Sequence, residues 1–242
     1  MGWLDSFLVV GAMARETVPS LVDAARGRLT RETIDERTHR FGRYVIERLG
    51  IQLHVEGVER VPPGRAYVYM SNHQSHLDIP VLYATLPSPT IRMVGKKELF
   101  DIPVWGPALR AAEFIEIDRG DREQAIGAMK RAAELVEDGV SMYLAPEGTR
   151  SRDGRLSPLK KGGFHLAVGT GAPIVPVAIR GTIDVLARGT KKMHTGMPVV
   201  VIIGDPIEVD GRTPQDLREE VGRWLKIHVE DEAPSPGRAI VP

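Results

Sequence analysis

Apolar positions along the chain change spacing several times, and each change marks an element. Between residues 18 and 29 the apolar residues Val18, Leu21, Val22, Ala25 and Leu29 recur every three or four positions, with Glu16, Asp23, Arg26 and Arg28 around the other side. That spacing predicts an amphipathic helix. Ahead of it Trp3, Leu4, Phe7, Leu8 and Val10 widen the apolar surface. A second helix follows, with Thr33 and Glu36 spaced as a capping box, Ile34, Thr38, Phe41, Val45 and Leu49 on one face, and Gly50 as its stop. Alternation then takes over: Ile51, Leu53 and Val55 face one way and Gln52, His54 and Glu56 the other, which predicts a strand. Short apolar runs at 66–70, 141–145, 174–179 and 199–203 suit buried strands. Helices lie between several of them. One is predicted over 122–138, opened by Asp121 with Gln124 three residues on, facing inward with Ile126, Met129, Ala133 and Val136, and closed by Gly139. The last starts at Thr213 and Pro214 and buries Leu217, Val221, Trp224 and Leu225. Strands alternating with helices predict an α/β fold, a mostly parallel or mixed central sheet flanked by helices on both faces. The expected division is an N-terminal two-helix element over 1–50, an α/β domain over 51–229 and a disordered tail over 230–242, where Pro234, Pro236 and Gly237 fall.

Composition narrows the partners. Lys plus Arg and Asp plus Glu balance at 32 each, so the basic excess of a nucleic-acid binder is missing and no nucleic-acid partner is expected. With no cysteine there are no disulfides, thiolate metal sites or covalent cysteine intermediates, and any nucleophile must be oxygen or nitrogen. No apolar run approaches the roughly 18 residues that a membrane-spanning helix needs. The first thirty residues therefore read as an element lying in a membrane interface, against the ordinary alternative of a helix packed on the core. Met1, Gly2 and Ser6 match the myristoylation pattern, which fixes too few positions to outweigh coincidence.

The polar run Ser71, Asn72, His73, Gln74, Ser75, His76, Leu77, Asp78 directly follows one predicted strand and opens a helix. In α/β proteins such junctions are where ligands bind. With Ser75 as a helix cap, Asp78 falls in the first turn and folds back onto His73. A carboxylate on one ring nitrogen fixes the tautomer and stabilises the imidazolium formed when the other nitrogen takes a proton, which makes His73 a general base toward a hydroxyl. His76 reads as a surface or packing histidine. A second cluster, Pro146, Glu147, Gly148, Thr149, Arg150, Ser151, also follows a strand. Its glycine permits close backbone approach and its arginine offers a planar fork for phosphate oxygens. A structural ion pair between Glu147 and Arg150 is the ordinary alternative.

Together these clusters resemble the lysophosphatidate acyltransferase family, the 1-acylglycerol-3-phosphate acyltransferases. Asn72, His73, Gln74, Ser75 and Asp78 are similar to its first motif; residues 114–119, ending Ile117, Asp118, Arg119, to its second; Glu147, Gly148, Thr149 and Arg150, with Pro146 ahead, to its third; and Pro173, Ile174, Val175 and Pro176 to its fourth. The resemblance spans roughly residues 51–210. It implies a glycerol-3-phosphate acyltransferase-like fold with a membrane-docking start. It also implies that His73 and Asp78 are catalytic, and that Arg119, Glu147, Gly148, Thr149 and Arg150 bind the acceptor. Lys160 and Lys161 are candidate phosphate contacts. The implied partners are acyl-CoA or acyl carrier protein as donor, a lysophospholipid acceptor and a membrane interface. No cofactor or metal is implied, and the expected location is peripheral, on the cytoplasmic side of the cell membrane. Two positions depart from the pattern: Glu113 stands where the second motif usually begins with glycine, and Ala145 where an aromatic usually precedes the third. Two rivals remain at this stage: a metal-dependent hydrolase with His73, His76 and Asp78 as ligands, and a lipid-binding module without turnover.

Overall fold

The computed structural model describes residues 2–231 and the side chains of residues 7–230; the expected tail beyond 231, and Trp3 and Leu4 as side chains, lie outside the described set. In chain order the elements are α1 (Gly2–Ala25), α2 (Arg31–Leu49), β1 (Gln52–Glu56), β2 (Val68–Ser71), α3 (Asp78–Thr85), β3 (Ile91–Lys96), α4 (Lys97–Phe100) and α5 (Trp105–Ala111). They continue with β4 (Ile115–Ile117), α6 (Arg122–Glu137), β5 (Ser141–Leu144), α7 (Gly162–Thr170), β6 (Ile174–Arg180), α8 (Thr182–Val185), β7 (Pro198–Ile203) and α9 (Pro214–Lys226). The strands form one mixed sheet in the order β1-β7-β6-β2-β5-β3-β4. All pairs are parallel except β6 with β7, so β1 and β7 run against the other five.

Alternate residues of the inner strands feed two cores. Tyr69, Val175, Val177 and Ile179 meet α2 and α3 on one face, while Val68, Met70, Met142 and Leu144 meet α6, α7 and α9 on the other. This explains why the central strands read as unbroken apolar runs, because both of their faces are covered. Alanines set the seat of α6: Ala128 and Ala132 are fully buried and bring the helix close, and Ile126, expected inside, is 49% exposed. In α9 Leu217, Val221 and Leu225 are buried, and Trp224 is only partly so, stacked on His228. Strands β3 and β4 were not among the predicted runs; each breaks the apolar pattern, with Arg92, Gly95 and Lys96 in one and only three residues in the other.

The start of the chain differs from expectation in two ways. The apolar lead and the amphipathic stretch are one helix, α1, which carries Pro19 inside it. The cap of α2 is Thr30, whose hydroxyl accepts from Thr33 N–H at 3.2 Å, three residues ahead of the expected box; Gly50 stops the helix in the left-handed region at φ 57° as expected. The polar side of α1 faces α2, with Glu16 paired to Arg40 and Asp23 to Arg37, each at 2.6 Å. Consequently Phe7, Val10, Val18 and Val22 point outward, the reverse of an ordinary surface helix. Among the described residues no helix is long and apolar enough to cross a membrane.

A charge cluster fastens α2 to the sheet. Asp35 accepts from Arg92 Nη1 and from Thr90 Oγ1, both at 2.6 Å, and Arg31 grips Glu113 through Nε and Nη2 at 2.9 Å. Arg92 is fully buried, with its Nε 3.6 Å from Glu113. Glu113 itself has φ 63°, a left-handed conformation that a residue with a Cβ rarely adopts, so its departure from glycine coincides with a carboxylate held by two arginines.

Candidate active site

Strands β2, β3, β4, β5 and β6 run in one direction and end along one edge of the sheet. Residues from the first three motifs converge toward that edge, whereas residues 173–176 of the fourth open β6 at its other end. Because Met70 of β2 lies opposite Leu144 of β5, the loops that follow these strands emerge side by side. Asn72 carries the pairing one step past β2, its amide exchanging two 2.8 Å hydrogen bonds with the backbone of Ile179. On the other side the His73 N–H donates to Glu147 Oε1 at 2.7 Å, and the His73 carbonyl accepts from Ser151 N–H at 2.7 Å. Both backbone groups of His73 are thus fixed by the third-motif loop, which sets the direction of the imidazole.

Asp78 opens α3 and is fully buried. Its Oδ2 lies 2.7 Å from His73 Nδ1 and accepts from the N–H groups of Gln74 (2.8 Å) and Ser75 (3.0 Å), while Oδ1 accepts from the Thr182 hydroxyl at 2.5 Å. Four donors hold this carboxylate in place, and the pairing puts the proton on Nδ1. His73 Nε2 then carries a free lone pair and meets no protein partner among the described residues. Ser75 caps the turn just ahead of α3, its oxygen accepting from Leu77 N–H at 3.2 Å, and spends its own proton on the Leu186 carbonyl at 2.7 Å.

In the third motif, Glu147 turns inward. Both its oxygens take backbone N–H groups, from His73 and from Ser157 at 2.8 Å, and burial raises its pKa despite those bonds. No Glu147–Arg150 ion pair forms; instead Arg150 leans toward the site, where desolvation and the neighbouring charge of Arg188 lower its pKa. Gly148 has φ 72°, and a Cβ there would come within 2.9 Å of Lys160 Cε, so the glycine lets this lysine lie across the loop. Lys160 is tied down by its N–H to the Pro146 carbonyl at 2.8 Å. Arg119, from the loop after β4, donates to the Gly148 carbonyl and so joins the second motif to the third. Thr149 and Lys161 are exposed.

His76 sits at the rim of the site, open to solvent on one side. The cleft walls strip part of its water, and the charges of Arg150, His73 and Lys96 oppose a further proton, lowering its pKa to about 4. Among the described residues no three His, Cys, Asp or Glu side chains gather as a metal site, and the four bonds on Asp78 leave little of it for an ion. Two backbone amides beside the site are engaged locally: the Gly148 N–H donates to the Ala145 carbonyl and the Asp78 N–H to the Ser75 carbonyl. Thr182 and the segment through Leu186 to Arg188 were not among the candidates. Thr182 lies just past the end of β6 on the same sheet edge, a place that topology would have flagged, although a lone threonine carries no chemical signature of its own.

The match to known proteins follows this geometry. A family model described as Acyltransferase matches residues 52–180. A chloroplastic 1-acyl-sn-glycerol-3-phosphate acyltransferase of Brassica napus is 39% identical over 154 residues, 63% of this chain, and the chain spans 44% of that relative, about half its length. The corresponding Limnanthes douglasii enzyme is 36% identical over 79% of this chain and 67% of its own length. The crystal structure of the 1-acyl-sn-glycerophosphate (LPA) acyltransferase PlsC from Thermotoga maritima superposes with a TM-score of 0.80 at 28% identity, covering 95% of this chain and 93% of that one. With the matched region taking in His73, Asp78, Arg119 and Arg150, this chain belongs to the acyltransferase family.

Proposed function

We propose that the chain transfers a fatty acyl group from the thioester of coenzyme A or acyl carrier protein to the sn-2 hydroxyl of 1-acyl-sn-glycerol 3-phosphate, giving phosphatidic acid and a free thiol. The observation that carries this reading is the 2.7 Å pair of His73 and the buried Asp78, with Arg150 close enough to feel the Asp78 charge. His73 Nε2 takes the hydroxyl proton as that oxygen attacks the thioester carbonyl. The carbon–sulfur bond then breaks and the imidazolium returns the proton to the departing sulfur. No acyl-enzyme forms in this scheme. Arg150 and Arg119 hold the acceptor phosphate with Gly148, Thr149, Lys160 and Lys161 around it, and Glu147 keeps the His73 loop in register while it shapes that site.

Two features support membrane work. The outward apolar stripe on α1 fits residues 1–50 as a docking element on the cytoplasmic face of the membrane, with 51–229 as the catalytic domain. An apolar cavity of about 120 Å³ opens between α1, α2, α3 and α5, lined by Met13, Phe41, Ile79, Tyr83, Leu109 and Phe114. Its apolar walls suit part of an acyl chain. The test is phosphatidic acid formation by the purified chain from lysophosphatidate in vesicles, run separately with acyl-CoA and acyl carrier protein. No product with either donor would sink the proposal.

A further inference from the structure

Arg188 stands beside Arg150 at the mouth of the site. Its Nη1 donates to the Arg150 carbonyl at 2.7 Å, and among the described residues neither guanidinium is paired with a carboxylate. Arg188 is delivered there by the chain that secures the catalytic carboxylate: Thr182 bonds Asp78, Leu186 takes the Ser75 hydroxyl, and Arg188 follows two residues on. The Arg188 guanidinium, anchored at the Arg150 backbone, lies near enough that its positive charge opposes that of Arg150. A doubly charged anion between them turns that repulsion into attraction on both sides, and arginine offers five N–H donors of which Arg188 uses one here.

Resting on the acceptor reading above, we infer that Arg188 is a specificity residue that, with Arg150, selects acceptors bearing a terminal phosphate monoester over lysolipids whose phosphate is a diester. A monoester near pH 8 carries about two charges and exposes three oxygens, as a phosphorylated side chain does, and a diester carries one charge on two oxygens. Arg150 alone serves either. The second guanidinium adds attraction that the diester cannot fully use, and its head group would press against Arg188 instead.

The experiment uses the full chain with acceptor in neutral vesicles at pH 8. KM and kcat for lysophosphatidate are measured for wild type, Arg188→Lys and Arg188→Gln, together with the inhibition constant of lysophosphatidylglycerol, a diester that needs only to bind. Glutamine removes the charge and keeps a donor for the Arg150 carbonyl. The expected result is a KM for lysophosphatidate raised about tenfold in Arg188→Gln with kcat within about twofold, a smaller rise in Arg188→Lys, and an inhibition constant for the diester that moves less than about threefold. An unchanged KM, an equal rise for monoester and diester, or a loss confined to kcat each overturns the inference and leaves the acyl-transfer reading standing. Failure of wild type to acylate lysophosphatidate overturns both.

Discussion

The His73 imidazole and the Asp78 carboxylate share one hydrogen bond, yet the carboxylate has three other donors while the second imidazole nitrogen has no protein partner among the described residues. That asymmetry separates their mutant phenotypes. His73→Ala removes the base and leaves Asp78 bonded by Gln74, Ser75 and Thr182, so the protein should fold while acyl transfer falls by about two to four orders of magnitude; near-normal turnover in a folded variant would refute the mechanism. Asp78→Asn keeps the shape and can still accept from Nδ1, but withdraws the charge that stabilises the imidazolium, and a comparable loss in kcat is expected. A third residue gives a pH signature. His76 has its folded pKa lowered from 6.5 to about 4, so between those values the unfolded chain binds a proton that the folded chain does not. Folding stability therefore decreases as pH falls from 6.5 toward 4. Because His76 is partly open to water, the contribution is modest. Thermal melts from pH 7.5 to 4.5 should show a shallower acid decline in His76→Gln than in wild type, and parallel curves would show that His76 has no part in it.

At the scale of elements, what the sequence made legible follows from how local the causes are. The helices at 31–49 and 122–137 were visible because a 3.6-residue stripe and a stop glycine lie within one stretch of chain, although the cap of the first sits at Thr30 rather than at the expected Thr33. The central strands showed as apolar runs because both faces are buried. Strands β3 and β4 did not, since Arg92 is buried only by virtue of Asp35 and Glu113 arriving from elsewhere. The same holds at the site. The His73–Asp78 pair is local and was legible, whereas Thr182 reaches Asp78 across 104 positions and Glu147 reaches the His73 amide across 74, contacts that only the sheet order creates. The cluster on Arg92 is testable. Asp35→Asn leaves a fully buried guanidinium with Glu113 at 3.6 Å as its remaining carboxylate, and should cost about 3–5 kcal/mol in urea unfolding. At Glu113 two terms compete. Glu113→Ala loses the carboxylate and keeps the φ 63° strain, while Glu113→Gly loses the carboxylate and relieves it, so the glycine variant should be the more stable of the two by about 1 kcal/mol. The opposite order would mean that the left-handed backbone at 113 carries no strain.

For the whole molecule, the arrangement of α1 bears on the proposed membrane attachment. At 100° per residue Phe7, Val10, Val18 and Val22 fall within roughly a third of the helix circumference. They are 74%, 57%, 49% and 40% exposed, while Val9 on the opposite side is buried and Glu16 and Asp23 are engaged by α2. A helix that turns its acids to the protein and its valines to the outside exposes a continuous apolar surface, which water disfavours and a lipid interface accepts. Burying each of the four is worth about 1 kcal/mol of attachment, less than full burial of such a side chain because each is already partly covered. Replacing Phe7, Val10 and Val18 together by Asp removes about 3 kcal/mol and adds charge that resists insertion, so vesicle partitioning should drop by at least about a hundredfold. The substitutions lie on the outer face, so the ion pairs to Arg37 and Arg40 and the melting temperature should survive. Since the 32 basic and 32 acidic residues balance, attachment of the wild type should hold as salt rises from about 0.1 to 1 M, where docking through a basic patch would fade with the shrinking Debye length. Co-sedimentation with vesicles of neutral lipid, at both salt concentrations and for both proteins, separates the possibilities: equal binding by the triple variant would exclude this face as the anchor, and release of wild type by salt would assign the attachment to charge instead.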